Sequence, residues 1–213
     1  MFGHLIMNDN SRAITHISDT HGHHQSVKLI GGDILIHSGD IVDYKRKIPT
    51  HEIIEWIDNT PYEYKIIVLG NHDEELSNFE LPDKIILLNN KVVNIFGIQF
   101  YGVTSTLRER NSYMCFGELS ELGIKNELQD EEFDILITHG PPKGILDNRY
   151  GNSIGSLNLL DYVKKHKPKY HLFGHAHHLK GTYYDGSTIF SNASIVHILA
   201  NEIVNGVPFN FTL

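Results

Sequence analysis

Five short apolar runs, each broken off by Asp, His, Asn or Gly, constrain the fold of this chain more than any other feature. In order they are AITHIS from Ala13, ILI from Ile34, KIIVL from Lys65, DILIT from Asp134 and YHLF from Tyr170. Runs of this length and composition, bounded by turn residues, read as buried strands. The residues that stop them are Asp19-Thr20-His21, Gly39-Asp40-Ile41-Val42-Asp43, Gly70-Asn71-His72-Asp73, His139-Gly140-Pro141-Pro142 and Gly174-His175-Ala176-His177. Any one of these clusters is an ordinary turn, since Gly and Asp dominate turns. All five at strand ends are a different matter, because open α/β sheets place ligand sites at the C-terminal edges of their strands.

Between these runs the chain reads more simply. Thr50 to Ile57 is an amphipathic helix with Ile53, Ile54 and Ile57 on one face; Asn59-Thr60-Pro61 ends it, and Trp56 is a core residue. Residues 85–88, 92–96 and 98–103 are strands joined by tight turns. Leu157 to Lys165 is a second helix, with Ser156 as its N-cap. Asp185-Gly186 marks a hairpin, and the tail from Ile195 supplies one or two closing strands. Residues 104–132, with Arg108 and Arg110, form a lid or a solvated excursion. His23 and His24 are expected at the surface.

The length of 213 residues suits one domain spanning 1–213, taking ~150 residues per domain as a guide. A formal net charge of -8 argues against a duplex nucleic-acid surface, which needs clustered Lys and Arg. It leaves room for a small anionic substrate, because bound cations invert the local sign. The single cysteine, Cys115, allows no internal disulfide. Residues 1–12 are too short and polar for a leader, and no apolar run approaches the ~20 residues of a membrane span. The expectation is a soluble, cytoplasmic monomer or homodimer with no membrane partner.

The five strand ends pool two carboxylates, one amide and four imidazoles: Asp19, His21, Asp40, Asn71, His139, His175 and His177. On extended backbone, residues two apart point to one side, so Asp19 with His21, and His175 with His177, could reach a single ion. A carboxylate has about four lone-pair positions, enough for Asp40 to serve two cations at once. The nitrogen-rich set suits manganese, iron, zinc, cobalt or nickel over calcium, which prefers oxygen shells.

This pattern resembles the calcineurin-like metallophosphoesterase superfamily over roughly residues 13–194. The stretches GDILIHSGDIVDY, ITHGPPKG and FGHAHHLKGTYYDGSTIFSNAS resemble its metallophosphoesterase-domain-containing (MPPED-like) subfamily. The resemblance implies a four-layer αββα sandwich, α/β or by some schemes α+β. Two mixed sheets would be flanked by helices, with a dinuclear metal site at the strand ends. It implies that Asp19, His21, Asp40 and His177 hold one divalent ion and Asp40, Asn71, His139 and His175 the other, with manganese the first choice. His72 would be the general acid, with Asp73 or Asp43 orienting it. Asn71, His72 and Arg149 would touch substrate.

Two dications, two aspartates and a bridging hydroxide leave the centre near +1, which attracts a phosphodiester. The implied reaction is attack of that hydroxide on phosphorus while His72 protonates the leaving oxygen. A cyclic nucleotide or similar small phosphodiester is the expected substrate. A phosphomonoesterase or phosphoprotein phosphatase would use the same centre. A non-catalytic scaffold usually loses ligands, and none is missing from this sequence.

Overall fold

The apolar runs form parallel strands covered on both faces, and that double burial is why they lack a polar alternation. The computed structural model describes residues 11–42, 48–104, 128, 130–149, 151–197, 202–203 and 207–213. In chain order the strands are β1 (Ala13–Ile17), β2 (Gly32–His37), β3 (Tyr62–Ile67), β4 (Ile85–Leu87), β5 (Lys91–Ile95), β6 (Ile98–Val103) and β7 (Ile135–Thr138). A short hairpin, β8 (Asn148–Arg149) and β9 (Asn152–Ser153), precedes β10 (Tyr170–Phe173), β11 (Gly181–Tyr184) and β12 (Ile189–Asn192). The tail holds β13 (Val196–His197), β14 (Glu202–Ile203) and β15 (Phe209–Thr212). Two α-helices lie among the described residues, α1 (Thr50–Asp58) and α2 (Leu157–His166).

One sheet runs β15-β1-β2-β3-β4 and the other β11-β12-β10-β7-β6-β5. Their central strands are parallel, while β15 on β1, β5 on β6 and β11 on β12 are antiparallel, so both sheets are mixed. Ile14, Ile34, Ile36 and Ile66 of the first sheet meet Ile135, Ile137 and Leu172 of the second in a buried cluster. Facing away from that seam, Ile67 packs with Ile53, Ile54 and Ile57 of α1. On the far side Leu136, Phe173 and Phe190 pack with Leu159, Tyr162 and Val163 of α2. The result is helix, sheet, sheet, helix. No helix among the described residues is long and apolar enough to cross a membrane.

Local chemistry explains the element ends. Ser156 Oγ accepts from Leu159 N at 3.0 Å and starts α2. Lys164, Lys165 and His166 fill its last turn, where positive charge suits the helix dipole, and Lys167 leaves in the left-handed region. The turn between β11 and β12 is wider than two residues: Asp185 Oδ1 accepts from Ser187 N and Thr188 N, both at 2.8 Å. The third apolar run spans Tyr62–Ile67 as a strand, earlier at both ends than KIIVL suggests. Among its described residues the tail yields three short strands: β13 and β14 pair with each other, and β15 joins the first sheet. His24 is buried with its ring 4.9 Å from Trp56, contrary to the surface placement expected; the indole covers it. Trp56 itself is partly buried. Asp43, Arg108, Arg110 and most of 104–132 lie outside the described residues.

Candidate metal centre

The C-terminal ends of β1, β2 and β3 face those of β7 and β10 across the inter-sheet seam. Ser18 stitches the two sheets there, donating from its N to Ala193 O at 3.1 Å and accepting from Ile195 N at 2.9 Å. Two clusters form at this seam. Asp19, His21, Asp40 and His177 each place a ligand-type atom within 4.8 Å of the others, and so do Asp40, His139 and His175. Asp40 belongs to both. Asn71 joins the second cluster, its Oδ1 lying 3.1 Å from His139 Nε2.

The backbone that brings them together is not extended. Asp19 (φ 52), His21 (φ 42), Asp40 (φ 54) and His175 (φ 64) all sit in the left-handed region. The side-sharing argument for Asp19 with His21 and for His175 with His177 therefore fails, although the residues do converge. Tight left-handed turns, which Asp and His accept better than most residues, swing each side chain toward the seam. Such conformations cost about 1–3 kcal/mol each and persist where surroundings hold them. Here backbone amides hold the carboxylates: His175 N donates to Asp19 Oδ2 at 2.9 Å, and His72 N to Asp40 Oδ1 at 3.0 Å.

Each carboxylate thus presents its other oxygen to imidazoles. Asp19 Oδ1 lies 3.0 Å from His177 Nε2. Asp40 Oδ2 lies 3.3 Å from His139 Nε2, 3.6 Å from His21 Nε2 and 3.9 Å from His72 Nε2. Three of these rings have their other nitrogen on a backbone carbonyl: His21 Nδ1 on Val42 O at 3.3 Å, His139 Nδ1 on Ser38 O at 2.9 Å, and His177 Nδ1 on Val196 O at 2.5 Å. A carbonyl only accepts, so Nδ1 donates in each case. A neutral ring then turns a bare Nε2 lone pair inward, toward carboxylate oxygens and another Nε2. His21 and His177 face each other this way at 3.3 Å. Lone pairs aimed at lone pairs repel unless a cation or a proton lies between, so the donor set fits divalent ions well.

The charges agree. Burial pushes the Asp40 carboxyl up, but His139, His21 and His72 outweigh it and hold it well below the usual carboxylate range. Burial likewise pushes His139 down, while Asp40 and Asp19 raise it to about 10. With only a proton to share, His139 holds one throughout the neutral range. That proton favours the ion-free fold fully below the ordinary histidine pKa, and the benefit fades as pH rises through about 10. An ion taking Nε2 must expel it. Metal uptake near pH 7 should therefore release at least about one proton, and apparent affinity should rise about tenfold per pH unit. Calorimetry in two buffers of different ionisation enthalpy counts the protons; a count of zero would contradict this arrangement.

Asp73 is buried and takes up three backbone amides. Its Oδ1 accepts from Ile41 N at 2.8 Å and Val42 N at 3.0 Å, and its Oδ2 from Gly70 N at 2.9 Å. It ties the loop after β3 to the loop after β2, a job set by three amides that need an acceptor. Asp43 lies outside the described residues, and Arg149 is described by its backbone alone, in β8. Sequence reasoning missed Ser194 and Asn192. Ser194 Oγ donates to Asp19 Oδ2 at 2.9 Å, and Asn192 Nδ2 to Ala176 O at 2.9 Å. The run TIFSNAS ends in polar residues at a strand end, the same signal as in the other five runs.

A family model described as calcineurin-like phosphoesterase matches residues 12–179. Metallophosphoesterase domain-containing protein 1 of Homo sapiens is 31% identical over 210 residues, covering 84% of this chain; this chain in turn spans 64% of that protein's length. A UPF0046 protein of Caenorhabditis elegans is 31% identical over 198 residues, covering 84% of this chain and 68% of its own. The crystal structure of TT1561 of Thermus thermophilus shares the fold at a TM-score of 0.55, with 16% identity over 94% of this chain and 98% of that one.

Proposed function

The chain belongs to the calcineurin-like phosphoesterase family, and from that premise we propose that it is a phosphodiesterase for a small diester, working with two divalent transition-metal ions. The observation that carries the reading is Asp40, among the described residues the one carboxylate in both ligand clusters. Asp19, His21, Asp40 and His177 would hold one ion, and Asp40, Asn71, His139 and His175 the other. The pair, when bound, supplies positive charge for the phosphate and Lewis acidity that makes water nucleophilic near neutral pH. Four imidazoles in the set favour manganese, iron, zinc, cobalt or nickel over calcium, and manganese is our first choice.

The chain's own residues then orient and protonate. His72 sits at the rim, with 30% of its side chain open to solvent and its Nε2 3.9 Å from Asp40 Oδ2. Its ring meets His21 edge-on at 5.0 Å, and its backbone N is pinned to Asp40 Oδ1. A ring fixed at its base and open at its edge suits a proton donor to the leaving oxygen. Asn71 is exposed beside it and can donate its amide hydrogens to a phosphate oxygen. The formal net charge of -8 favours a singly charged diester over a doubly charged monoester.

His72→Ala should leave metal content unchanged and lower turnover by ~10²–10⁴-fold on an alkyl diester, with far less loss on a p-nitrophenyl ester, whose leaving group needs no proton. Equal loss on both would remove His72 from this role. Chelation should abolish turnover and manganese restore it. Faster hydrolysis of p-nitrophenyl phosphate than of its bis ester would turn the reading toward a phosphomonoesterase.

A further inference from the structure

Beneath the proposed ligands, β1, β2 and β10 carry three more buried histidines, His16, His37 and His171. His16 bridges the sheets, its Nε2 2.9 Å from Ser38 Oγ and its Nδ1 3.2 Å from Ser191 Oγ. The other two are each tied to one half of the metal centre. We propose that His37 and His171 are positioning residues, uncharged imidazoles of fixed tautomer that hold the loops for the first and second ion respectively. The proposal rests on the two-ion reading above.

For His171 the hydrogen-bond directions come from counting protons. Its Nε2 lies 2.9 Å from Thr138 Oγ1, and that hydroxyl donates its one hydrogen to Gly140 O at 2.7 Å. The hydroxyl must therefore accept from the ring, so Nε2 carries the hydrogen. Thr138 and Gly140 flank His139, and this relay sets the turn from which His139 reaches the second cluster. Among the described residues His171 Nδ1 is buried with no hydrogen-bond partner, and Phe173 and Phe190 surround the ring at 5.1 and 5.7 Å. Burial in that apolar setting pushes the ring down to about 3, so it stays neutral.

His37 has the same tautomer for a different reason. Gly39 N donates to its Nδ1 at 3.2 Å, leaving Nε2–H to donate to Thr20 Oγ1 at 3.1 Å. Thr20 lies between Asp19 and His21. Gly39 precedes Asp40, and its carbonyl accepts from Asp19 N at 2.9 Å. One ring thus fixes the loops that carry three of the first cluster's side chains. Burial again dominates and takes His37 to about 3. A leucine would fill either space without the desolvation cost of a buried polar ring. What it lacks is the directed N–H.

The test is metal titration of the apoprotein by calorimetry, with cobalt(II) absorption to identify each site. Wild type should take up two ions. His171→Leu and Thr138→Val should each weaken one class about 10–100-fold, the range for lost outer-shell partners, and leave the other within about threefold. His171→Gln, which can place an amide N–H near the Nε2 position, should restore most of the loss. His37→Leu should weaken the first ion's class most, with a smaller loss at the second, because the loop it holds carries Asp40, which belongs to both clusters. Unchanged affinities in both His171→Leu and Thr138→Val would overturn the proposal, and so would equal loss at both sites without rescue by Gln. Fewer than two ions in wild type would overturn the two-ion reading itself and this inference with it. If His171→Leu fails to fold, Thr138→Val and His171→Gln still decide the matter.

Discussion

Asp40→Asn is expected to strip both ions and lower turnover by ~10⁴-fold or more. Lewis-acid stabilisation worth several kcal/mol, at about 1.4 kcal/mol per tenfold, sets that scale. Among the described residues no other belongs to both clusters. The Asn side chain also cannot satisfy both sides of its site. Asp40 Oδ1 accepts from His72 N, while Oδ2 faces three imidazole nitrogens and the ions they would share. If the Asn oxygen keeps the backbone bond, its NH₂ points at the metals. If it flips, NH₂ meets N–H. Asp19→Asn, by contrast, should deplete only one ion. Elemental analysis beside kcat/KM distinguishes the two variants, and an Asp40→Asn protein that retains both ions would refute the bridging role.

Gly70→Ala is expected to bring activity close to the Asp40→Asn level without touching a ligand. A Cβ at Gly70 would overlap the Asp40 carboxylate and its backbone nitrogen. Atoms this close cannot both keep their places, and Asp40 is held from behind by His72 N. Overpacking of this kind typically costs about 1–3 kcal/mol of stability, and the displaced carboxylate costs the metals as well. Gly97→Ala is the matched control. Gly97 has φ 84 with nothing among the described residues within 4 Å of its would-be Cβ, so that substitution carries only backbone strain. Its melting point should fall while metal content and turnover stay at wild-type values. A Gly70→Ala enzyme with normal metal content would show that the loop yields more readily than the packing implies.

The sequence made the site's membership readable because parallel strands covered on both faces leave unbroken apolar runs, and the polar residues that end such a run stand out. Asp19, Asp40, Asn71, His139 and His175 were visible for that reason. The manner of their convergence was not. Alternation along a strand says nothing about a residue just past its end, and four of the side chains reach the seam through left-handed turns that only the folded backbone reveals. Of Asp73 the sequence shows only that it adjoins His72. Its bonds to the amides of Ile41 and Val42 cross between two loops, which the pairing of β2 with β3 brings close. His37 and His171 escaped notice because a histidine inside an apolar strand gives no sign of which neighbour its ring meets. The place of β15 beside β1 depends on a pairing between the two ends of the chain, beyond any local pattern.

The two sheets contribute unequally to the proposed ion shell: the first supplies Asp19, His21, Asp40 and Asn71, the second His139, His175 and His177. An ion seated among them acts as a rivet through the wall between two halves of the molecule. Ligands that bind only the folded state stabilise it by mass action. The ion supply around this protein would then govern how firmly its halves stay fastened as well as how fast it turns over.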